Sequence, residues 1–274
     1  MDERTEQVGG VEVLWRESPA RGGAAGPAPV VYLHGVPSSS SDWLPFLERT
    51  GGYAPDLPGF GRSGKPAHFD YSIAGYGAFL RAYVDRLGLD RFSLVMHDWG
   101  GVGFELAMAV PDRVERVVAI GVVPFLPGYR WHRVARLWRT PLIGEMTMGF
   151  TFKRSMRQGS REWLAAEGPA PDEMVDEVWR HFDHGTQRAI LKLYRSAPPS
   201  ALAAAGERLG DVTAPALVLW GSGDPYLPTS FARALGDALG GPAEVDVVEG
   251  ARHWPWRDKP ELVDRVAGFL RGSA

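Results

Sequence analysis

The sequence predicts an α/β domain in which helices flank a mostly parallel central sheet. Short apolar runs rich in β-branched residues end in turn residues at 29–35, 92–98, 116–124 and 216–224, as is typical of buried parallel strands. Helix-length segments alternate with these runs, and such alternation implies a parallel sheet covered on both faces. The length of 274 residues fits one domain of this class.

The other core elements follow from the same patterns. Residues 12–18 supply an early antiparallel strand, and residues 243–250 supply a last parallel strand. Residues 74–89 form a helix, because apolar side chains recur there at helical spacing. The stretch 19–29, rich in Gly, Ala and Pro, is a loop by composition.

The alternation of strands and helices fails between about 125 and 205, where helical segments are separated by Pro and Gly. We interpret this interval as a helical cap inserted into the core. The chain then has a first part of the core over 1–124, the cap over 125–205 and a second part of the core over 206–274.

Within the cap, arginine recurs at every third position of the segment 130–139, and apolar residues occupy the opposite side. The arginines are Arg130, Arg133, Arg136 and Arg139. This pattern predicts one amphipathic helix. A solvated face of the cap is the simpler interpretation of the arginines, and binding to a membrane surface or to nucleic acid is the alternative.

The composition argues against several classes of function. A net charge of -3 offers no concentrated basic face for nucleic acid, and no stretch approaches the roughly 20 apolar residues that cross a bilayer. The chain has no cysteine, and residues 1–10 lack the apolar run of a secretory signal. We therefore expect a cytoplasmic protein with no nucleic-acid or membrane partner and with neither cofactor nor metal. The oligomeric state is left open.

The most informative segment is the apolar strand 92–98, which runs directly into a turn and a helix. This is the context of a nucleophile elbow, a turn that lifts one side chain above the carboxyl edge of the sheet. The raised residue is Asp98, and Gly100 and Gly101 allow the helix to approach the strand closely. No Gly-x-Ser-x-Gly occurs in the sequence, which disfavours a serine hydrolase. The alternative is that Asp98 only caps the following helix.

Two further candidate catalytic residues also follow predicted strands. Asp224 comes at the end of the run 216–224, and His253 lies between the last strand and the final helix. Each has an ordinary alternative, as a turn aspartate and as a structural histidine. The chain order Asp98, Asp224, His253 is nevertheless that of nucleophile, acid and base in α/β-hydrolases. We predict these three roles.

A fourth element is the loop 33–37, which resembles a His-Gly-x-Pro oxyanion loop. Backbone N–H groups of Val36 and Trp99 would stabilise an oxyanion, a contribution of about 3–4 kcal/mol in acyl transfer. We assign His34, Val36 and Trp99 to oxyanion and substrate binding. A tight loop with a capping role is the alternative.

These motifs carry a resemblance over about residues 10–272 to the α/β-hydrolase superfamily. The elbow HDWGG (97–101) is similar to that of epoxide hydrolases and haloalkane dehalogenases, and APDLPGFGRS (54–63) is also familiar from these families. The elbow indicates a branch with an aspartate nucleophile. In such chemistry Asp98 attacks an sp³ carbon and forms an alkyl ester, which water activated by His253 then hydrolyses. The expected partners are a small apolar electrophile and water.

The resemblance allows two leaving groups. For an epoxide, Tyr194 lies 30 residues before Asp224 and resembles a ring-opening tyrosine of epoxide hydrolases, although it is equally interpreted as a packed aromatic. The second cap tyrosine of those enzymes is missing from 141–152, and Tyr129 lies earlier than expected.

For a halide, the indole of Trp99 resembles one of the two N–H donors of dehalogenases. Many of them take the second from an asparagine at the position of Val36, so a cap tryptophan would have to replace it. The candidates are Trp131, Trp138, Trp163 and Trp179. We favour epoxide hydrolysis over dehalogenation, because Tyr194 is a placed donor and the second halide donor is not. A non-catalytic ligand-binding member of the fold is the alternative from another class, and an esterase is a remote one.

Overall fold

The structure, a computed structural model, describes residues 1–19 and 28–272. The strands in these residues are β1 (Asp2–Val8), β2 (Val11–Ser18), β3 (Val30–Leu33), β4 (Gly52–Pro55), β5 (Phe92–Asp98), β6 (Val114–Val122), β7 (Ala216–Gly221) and β8 (Ala243–Val248). They form one sheet in the order β1-β2-β4-β3-β5-β6-β7-β8. The pairs β1–β2 and β2–β4 are antiparallel, and the others are parallel. The mostly parallel sheet predicted from the sequence is confirmed.

Helices before β6 and after β7 flank this sheet, and further helices lie in the segment between β6 and β7. They are α1 (Leu44–Thr50), α2 (Ile73–Arg86), α3 (Gly103–Ala109), α4 (Arg133–Arg139), α5 (Ile143–Gly149), α6 (Lys153–Gly159), α7 (Asp172–Arg180), α8 (His184–Ser196), α9 (Pro199–Ala205), α10 (Ser230–Ala238), α11 (Pro255–Asp258) and α12 (Leu262–Arg271). The helix predicted over 74–89 is α2, which begins where the Ser72 side chain accepts a hydrogen bond from the N–H of Gly75.

The central strands carry the core. Every residue of β3, β5 and β7 is buried, because helices cover the sheet on both sides and parallel strands of this kind have no solvent face. Strand β5 ends at Asp98. The nucleophile predicted from the sequence therefore sits on a rigid support at the carboxyl edge of the sheet.

Two strands were not expected from the sequence. Strand β1 lies at the edge of the sheet and is mostly exposed. Its residues are therefore mostly polar and lack the alternation of apolar and polar side chains that predicts a strand. Strand β4 has only four residues, begins with Gly52 and ends with Pro55, a composition that indicates a turn. Residues 20–27 of the loop expected over 19–29 lie outside the described residues.

The segment between β6 and β7, all of which the structure describes, contains helices and no strand. We keep the name cap for residues 125–205. The single helix expected over 130–139 is shorter and starts at Arg133, because the His132 ring accepts the Ala135 N–H and caps it there. Trp131 precedes the helix, and its indole N–H donates to the carbonyl of Ala197 at 2.8 Å.

Helix α8 ties the cap to the core. Lys65 pairs with Asp183 at 2.7 Å, just before the helix begins. Thr186 Oγ1 donates to the carbonyl of Gly59 at 2.9 Å, and Arg188 donates to the carbonyl of Lys65 at 2.6 Å. The same helix carries Tyr194, which is thus held in a fixed relation to the sheet. None of the helices in the described ranges is long and apolar enough to span a bilayer.

Candidate active site

Asp98 occupies a sharp turn between β5 and the short 3-10 helix Trp99–Val102. Its backbone has φ 49° and ψ -119°, a conformation with positive φ that residues other than glycine rarely adopt. A Cβ at Gly100 would lie 2.1 Å from the carbonyl oxygen of Leu33, so only glycine permits this close turn. The Asp98 side chain makes no capping hydrogen bond, which argues against the alternative of a simple helix cap.

The Asp98 carboxylate instead faces the loop that follows β3. Its Oδ1 accepts a hydrogen bond from the N–H of Val36 at 2.8 Å. The approach is close, because a Cβ at Gly35 would lie 2.5 Å from the Cβ of Asp98. The Val36 N–H is therefore already aimed at the oxygen that would carry the charge of an oxyanion formed at Asp98.

His34 holds this loop in place and does not line the cavity described below. Its ring is fully buried, Nε2 accepts the N–H of Leu57 at 2.9 Å, and Nδ1 donates to the carbonyl of Gly35 at 2.7 Å. Both ring nitrogens are thus engaged by backbone. The substrate-binding role expected for His34 is corrected to positioning of the oxyanion loop.

The stretch 54–63 supports the same loop through Asp56. This buried carboxylate accepts the N–H of Ser40 at 2.7 Å and the N–H of Arg62 at 2.8 Å. Ser63 completes the network, because its hydroxyl donates to the carbonyl of Asp56 at 2.6 Å and accepts the N–H of Leu14 at 2.9 Å. The stretch is therefore structural support for the elbow and the loop beside it.

His253 lies between the two aspartates predicted to act with it. Its Nδ1 is 2.8 Å from Oδ2 of Asp224, and its Nε2 is 3.7 Å from Oδ2 of Asp98. The other oxygen of Asp224 accepts the N–H groups of Tyr226 and Leu227 at 2.8 and 3.1 Å. Asp224 thus fixes the tautomer in which Nδ1 carries a proton and Nε2 is free to accept one.

Burial and neighbouring charges shift the pKa values of both Asp98 and His253. Burial raises the pKa of Asp98, although His253 and the N–H groups of Val36 and Trp99 oppose the rise. Burial lowers the pKa of His253, but the charges of Asp224 and Asp98 outweigh it and leave that pKa above its ordinary 6.5. The two aspartates therefore stabilise the protonated form of His253.

The raised pKa of His253 predicts a pH-dependent change in the slow step. Below this pKa the base is protonated, whereas attack by the Asp98 carboxylate needs no base, so the covalent ester should accumulate. Rapid quenching of enzyme mixed with excess substrate should show a burst at mildly acidic pH that disappears as the pH rises. A burst that is the same at acidic and alkaline pH would contradict this assignment.

A cavity of about 340 Å³ opens above Asp98 and His253, a size that suits a small ligand. Much of its wall is apolar and comes from the cap: Val134, Leu137, Trp138, Met156, Trp163 and Phe182. Val36 and Tyr194 also line it. The cavity therefore brings Asp98, His253, Val36 and Tyr194 together, while Asp224 stands behind His253.

Tyr194 reaches this cavity and Trp99 does not. Trp99 is buried beneath Tyr194 and Trp131, at ring-centroid distances of 5.2 and 5.4 Å. Its indole nitrogen makes no hydrogen bond of standard geometry in the described part of the chain, but it lies close enough to the Tyr194 hydroxyl to oppose the rise in the pKa of that tyrosine. Burial and the Asp98 carboxylate raise the pKa of Tyr194 well above its usual value, so its hydroxyl stays protonated and able to donate.

The four cap tryptophans differ in their access to the cavity. Trp138 and Trp163 line it, whereas Trp131 and Trp179 do not. The N–H of Trp131 is also occupied by the carbonyl of Ala197. Only Trp138 and Trp163 among the four are thus in a position to meet a ligand in this cavity.

Two further cavity residues were missed in the sequence, His132 and Tyr226. The Tyr226 ring packs against both His132 and His253 at 5.0 Å. Burial lowers the pKa of His132 to about 4, so the ring is neutral near pH 7. Because its Nδ1 accepts the N–H of Ala135, its Nε2 carries the proton. A signal for Tyr226 was present, since it follows the Asp224-Pro225 turn directly.

Comparison with known proteins agrees with this geometry. The family model described as the alpha/beta hydrolase family matches residues 30–266. The chain belongs to this family. A haloalkane dehalogenase of Mycolicibacterium paratuberculosis is 30% identical to this alpha/beta hydrolase over 260 residues, which cover 88% of the chain and 83% of the relative.

Solved structures place this alpha/beta hydrolase among the same proteins. Haloalkane dehalogenase DbeA from Bradyrhizobium elkani superposes with a TM-score of 0.83 at 25% identity, covering 99% of this chain and 98% of its own. Epoxide hydrolase CorEH shares the fold, with a TM-score of 0.83 at 20% identity and 98% coverage of both chains. The protein is a hydrolase of the dehalogenase or epoxide hydrolase type, and a non-catalytic role is set aside.

Among the described residues, no group of three or more His, Asp or Glu side chains is arranged to hold a metal ion.

Proposed function

We propose that this hydrolase opens small apolar epoxides to diols through a covalent ester on Asp98. The observation that carries the proposal is that Tyr194, and not Trp99, shares the cavity with Asp98. An epoxide oxygen leaves as an alkoxide and requires a proton donor, which a neutral phenol supplies and an apolar wall does not. The cytoplasmic location expected from the sequence is part of the proposal.

The first step would use the free oxygen of the nucleophile. Oδ1 of Asp98 is engaged by Val36, which leaves Oδ2 to attack an epoxide carbon. The carbon–oxygen bond of the ring breaks as the new ester bond forms, and the ring oxygen takes its proton from Tyr194. His132 lines the same cavity with a proton on Nε2, and we propose it as a second donor in the absence of a second cap tyrosine.

The second step would regenerate the carboxylate. His253 takes a proton from water through Nε2, and the hydroxide attacks Cγ of Asp98. The negative charge then develops on Oδ1, where the Val36 N–H stands at 2.8 Å. Collapse of this intermediate breaks the ester bond, and the leaving alkoxide takes the proton of the newly added hydroxyl to give the diol. The proton on His253 returns to the Tyr194 phenolate, and Asp224 stabilises the imidazolium of His253 until then.

Dehalogenation is the second candidate, and two observations favour it. The relatives named haloalkane dehalogenases include one that is 33% identical over 264 residues, from Mycobacterium bovis. The indole N–H of Trp99 is also buried and makes no hydrogen bond of standard geometry among the described residues, although it lies beside the Tyr194 hydroxyl, so it is placed to turn to a halide. A halide would then need Trp99 to become accessible and Trp138 or Trp163 to supply the second N–H.

Replacing Tyr194 with phenylalanine separates the two candidates. The variant keeps the ring packed against Trp99 and Trp138 and removes only the donor, so diol formation from styrene oxide should fall by about 10²-fold or more. Bromide release from bromohexane, if it occurs, should change little. Both products are measured with each substrate.

The matched control is Tyr129→Phe. Tyr129 is also a buried tyrosine near the site with a hydroxyl that has no partner in the described residues, but it does not line the cavity. Equal losses in the two variants, or equal losses with the two substrates, would make Tyr194 a packing residue. Bromide without diol from the unaltered protein would favour the dehalogenase.

A further inference from the structure

The cap exposes an unusual amount of apolar surface. Of the eight large apolar side chains that are exposed in the described residues, six lie between 137 and 152. We use the name apolar strip for five of them: Leu142, Ile143, Met146, Phe150 and Phe152, with exposed fractions of 77, 44, 60, 69 and 60%. Such a cluster on the surface of a globular protein marks an interaction site more often than single exposed residues do.

The apolar strip is continuous along one helix. Leu142, Met146 and Phe150 are spaced four residues apart across α5 and its two ends, so they share one face. Leu142 is held outward from a backbone with φ 66°, which residues other than glycine rarely adopt. Phe152 follows directly at the start of α6. The strip is therefore a built feature of α5 and its flanks.

Basic residues are frequent in the segments that flank this strip along the chain. Residues 126–162 contain eight Lys or Arg and two Asp or Glu, although acidic residues outnumber basic ones in the whole chain, 33 to 30. Arg133, Arg136 and Arg154 are exposed and pair with no carboxylate within the described ranges. The sequence favoured a solvated face for the cap arginines, because it does not show that the nearby apolar side chains are exposed.

We propose that the apolar strip and its arginines dock this hydrolase onto an anionic lipid bilayer. Exposed apolar side chains on a short helix, with exposed arginines in the segments that flank it, match the acyl boundary and the phosphates of such a surface. This departs from the expectation of no membrane partner, and it concerns the bilayer surface rather than a span.

A second copy of the chain fits less well. In a two-fold interface the same patch meets itself, so the free arginines of one protomer would face those of the other, and like charges in contact oppose association. Nucleic acid would satisfy the arginines but would leave the apolar strip against phosphates and water. A lipid surface satisfies both parts of the patch.

The placement of the cavity gives this docking a use, which rests on the proposed function. Thr147 lines the cavity and directly follows Met146 of the strip, so the cavity wall and the strip occupy adjacent faces of α5. Arg133 and Leu137 of α4 also line the cavity. An apolar substrate dissolved in the bilayer would then reach Asp98 without crossing water.

The test is sedimentation of the full chain with vesicles of phosphatidylcholine, with and without phosphatidylglycerol. Binding should require the anionic lipid and should weaken as salt rises. Met146→Ser/Phe150→Ser should weaken binding by at least about tenfold. Arg136→Gln/Arg154→Gln should weaken it by about 25-fold, at roughly fivefold per basic residue. None of these four side chains lines the cavity, so hydrolysis of a water-soluble substrate should be unchanged.

The matched control is Arg233→Gln/Arg271→Gln, which removes two exposed arginines outside the cap and should leave binding intact. Absence of binding to anionic vesicles would overturn the proposal, and so would equal losses in the control. Self-association that is lost only in the serine variant would assign the strip to a dimer instead. Binding to duplex DNA that needs the arginines but not the strip would identify a polyanion site. Vesicle binding needs no turnover, so it can also be measured with the Asp98→Asn protein. The result of this test therefore does not depend on whether the proposed function is correct.

Discussion

Asp98→Asn should reduce turnover by at least about 10⁴-fold, the scale of loss seen when a catalytic nucleophile is removed. An amide lacks the negative charge that attacks the sp³ carbon, and no other carboxylate in the described residues lines the cavity near His253 except Glu162. Asparagine keeps the shape of the side chain and can still accept the N–H of Val36. The fold should therefore survive, and thermal unfolding would check this.

The measurement is diol and bromide formation by the purified variant, with its intact mass recorded in parallel. Since the proposed mechanism hydrolyses an acyl derivative of residue 98, slow conversion of the amide back to aspartate has to be excluded by mass. Asp98→Ala, which cannot revert, is the second variant. Retained activity in Asp98→Ala would remove the covalent mechanism. A single turnover of the unaltered protein in heavy-oxygen water should give product whose new oxygen is light, because it comes from Asp98.

Much of the core could be predicted from the sequence, for a physical reason. Strands β3, β5, β6 and β7 are buried parallel strands, and burial on both faces requires continuous apolar runs that a sequence displays directly. The edge strand β1 has no such requirement, because most of its side chains are exposed. Strands that are more deeply buried in the sheet are therefore easier to predict from the sequence.

The candidate site likewise has one part that the sequence predicts and another part that it does not. Asp98, Asp224 and His253 follow three strands whose carboxyl ends share one edge, so their chain order was enough to bring them together. Whether Tyr194 and Trp99 reach the cavity depends instead on how the cap packs over the sheet. Stacking of Trp131 on Trp99 removes the latter from the cavity, and no spacing in the sequence encodes that contact. The positions of His132 in the cavity and of the exposed apolar strip could not be predicted for the same reason.

His253→Gln should separate the two halves of the reaction. Attack by Asp98 does not need a base, so the first step should continue, while hydrolysis of the ester should slow by about 10²–10⁴-fold. Glutamine can keep a hydrogen bond to Asp224, whose Oδ2 lies 2.8 Å from Nδ1 of His253, so the buried aspartate is not left unpaired. The ester should therefore accumulate on Asp98 and be visible in the intact mass of the protein.

The mass of this adduct also identifies the substrate class. An epoxide adds its whole mass, because no atom leaves when the ring opens, whereas an alkyl bromide adds only its alkyl group. The double variant Asp98→Asn/His253→Gln should show neither adduct, which localises the ester to residue 98. If His253→Gln turned over at the rate of the unaltered protein, another group would be the base. Besides Asp98 and His253, the cavity is lined by the titratable groups of His132, Glu162, Tyr194 and Tyr226. If the variant folds yet forms neither adduct nor product, His253 acts before the ester exists, and Asp98 then depends on the nearby imidazolium for its charge.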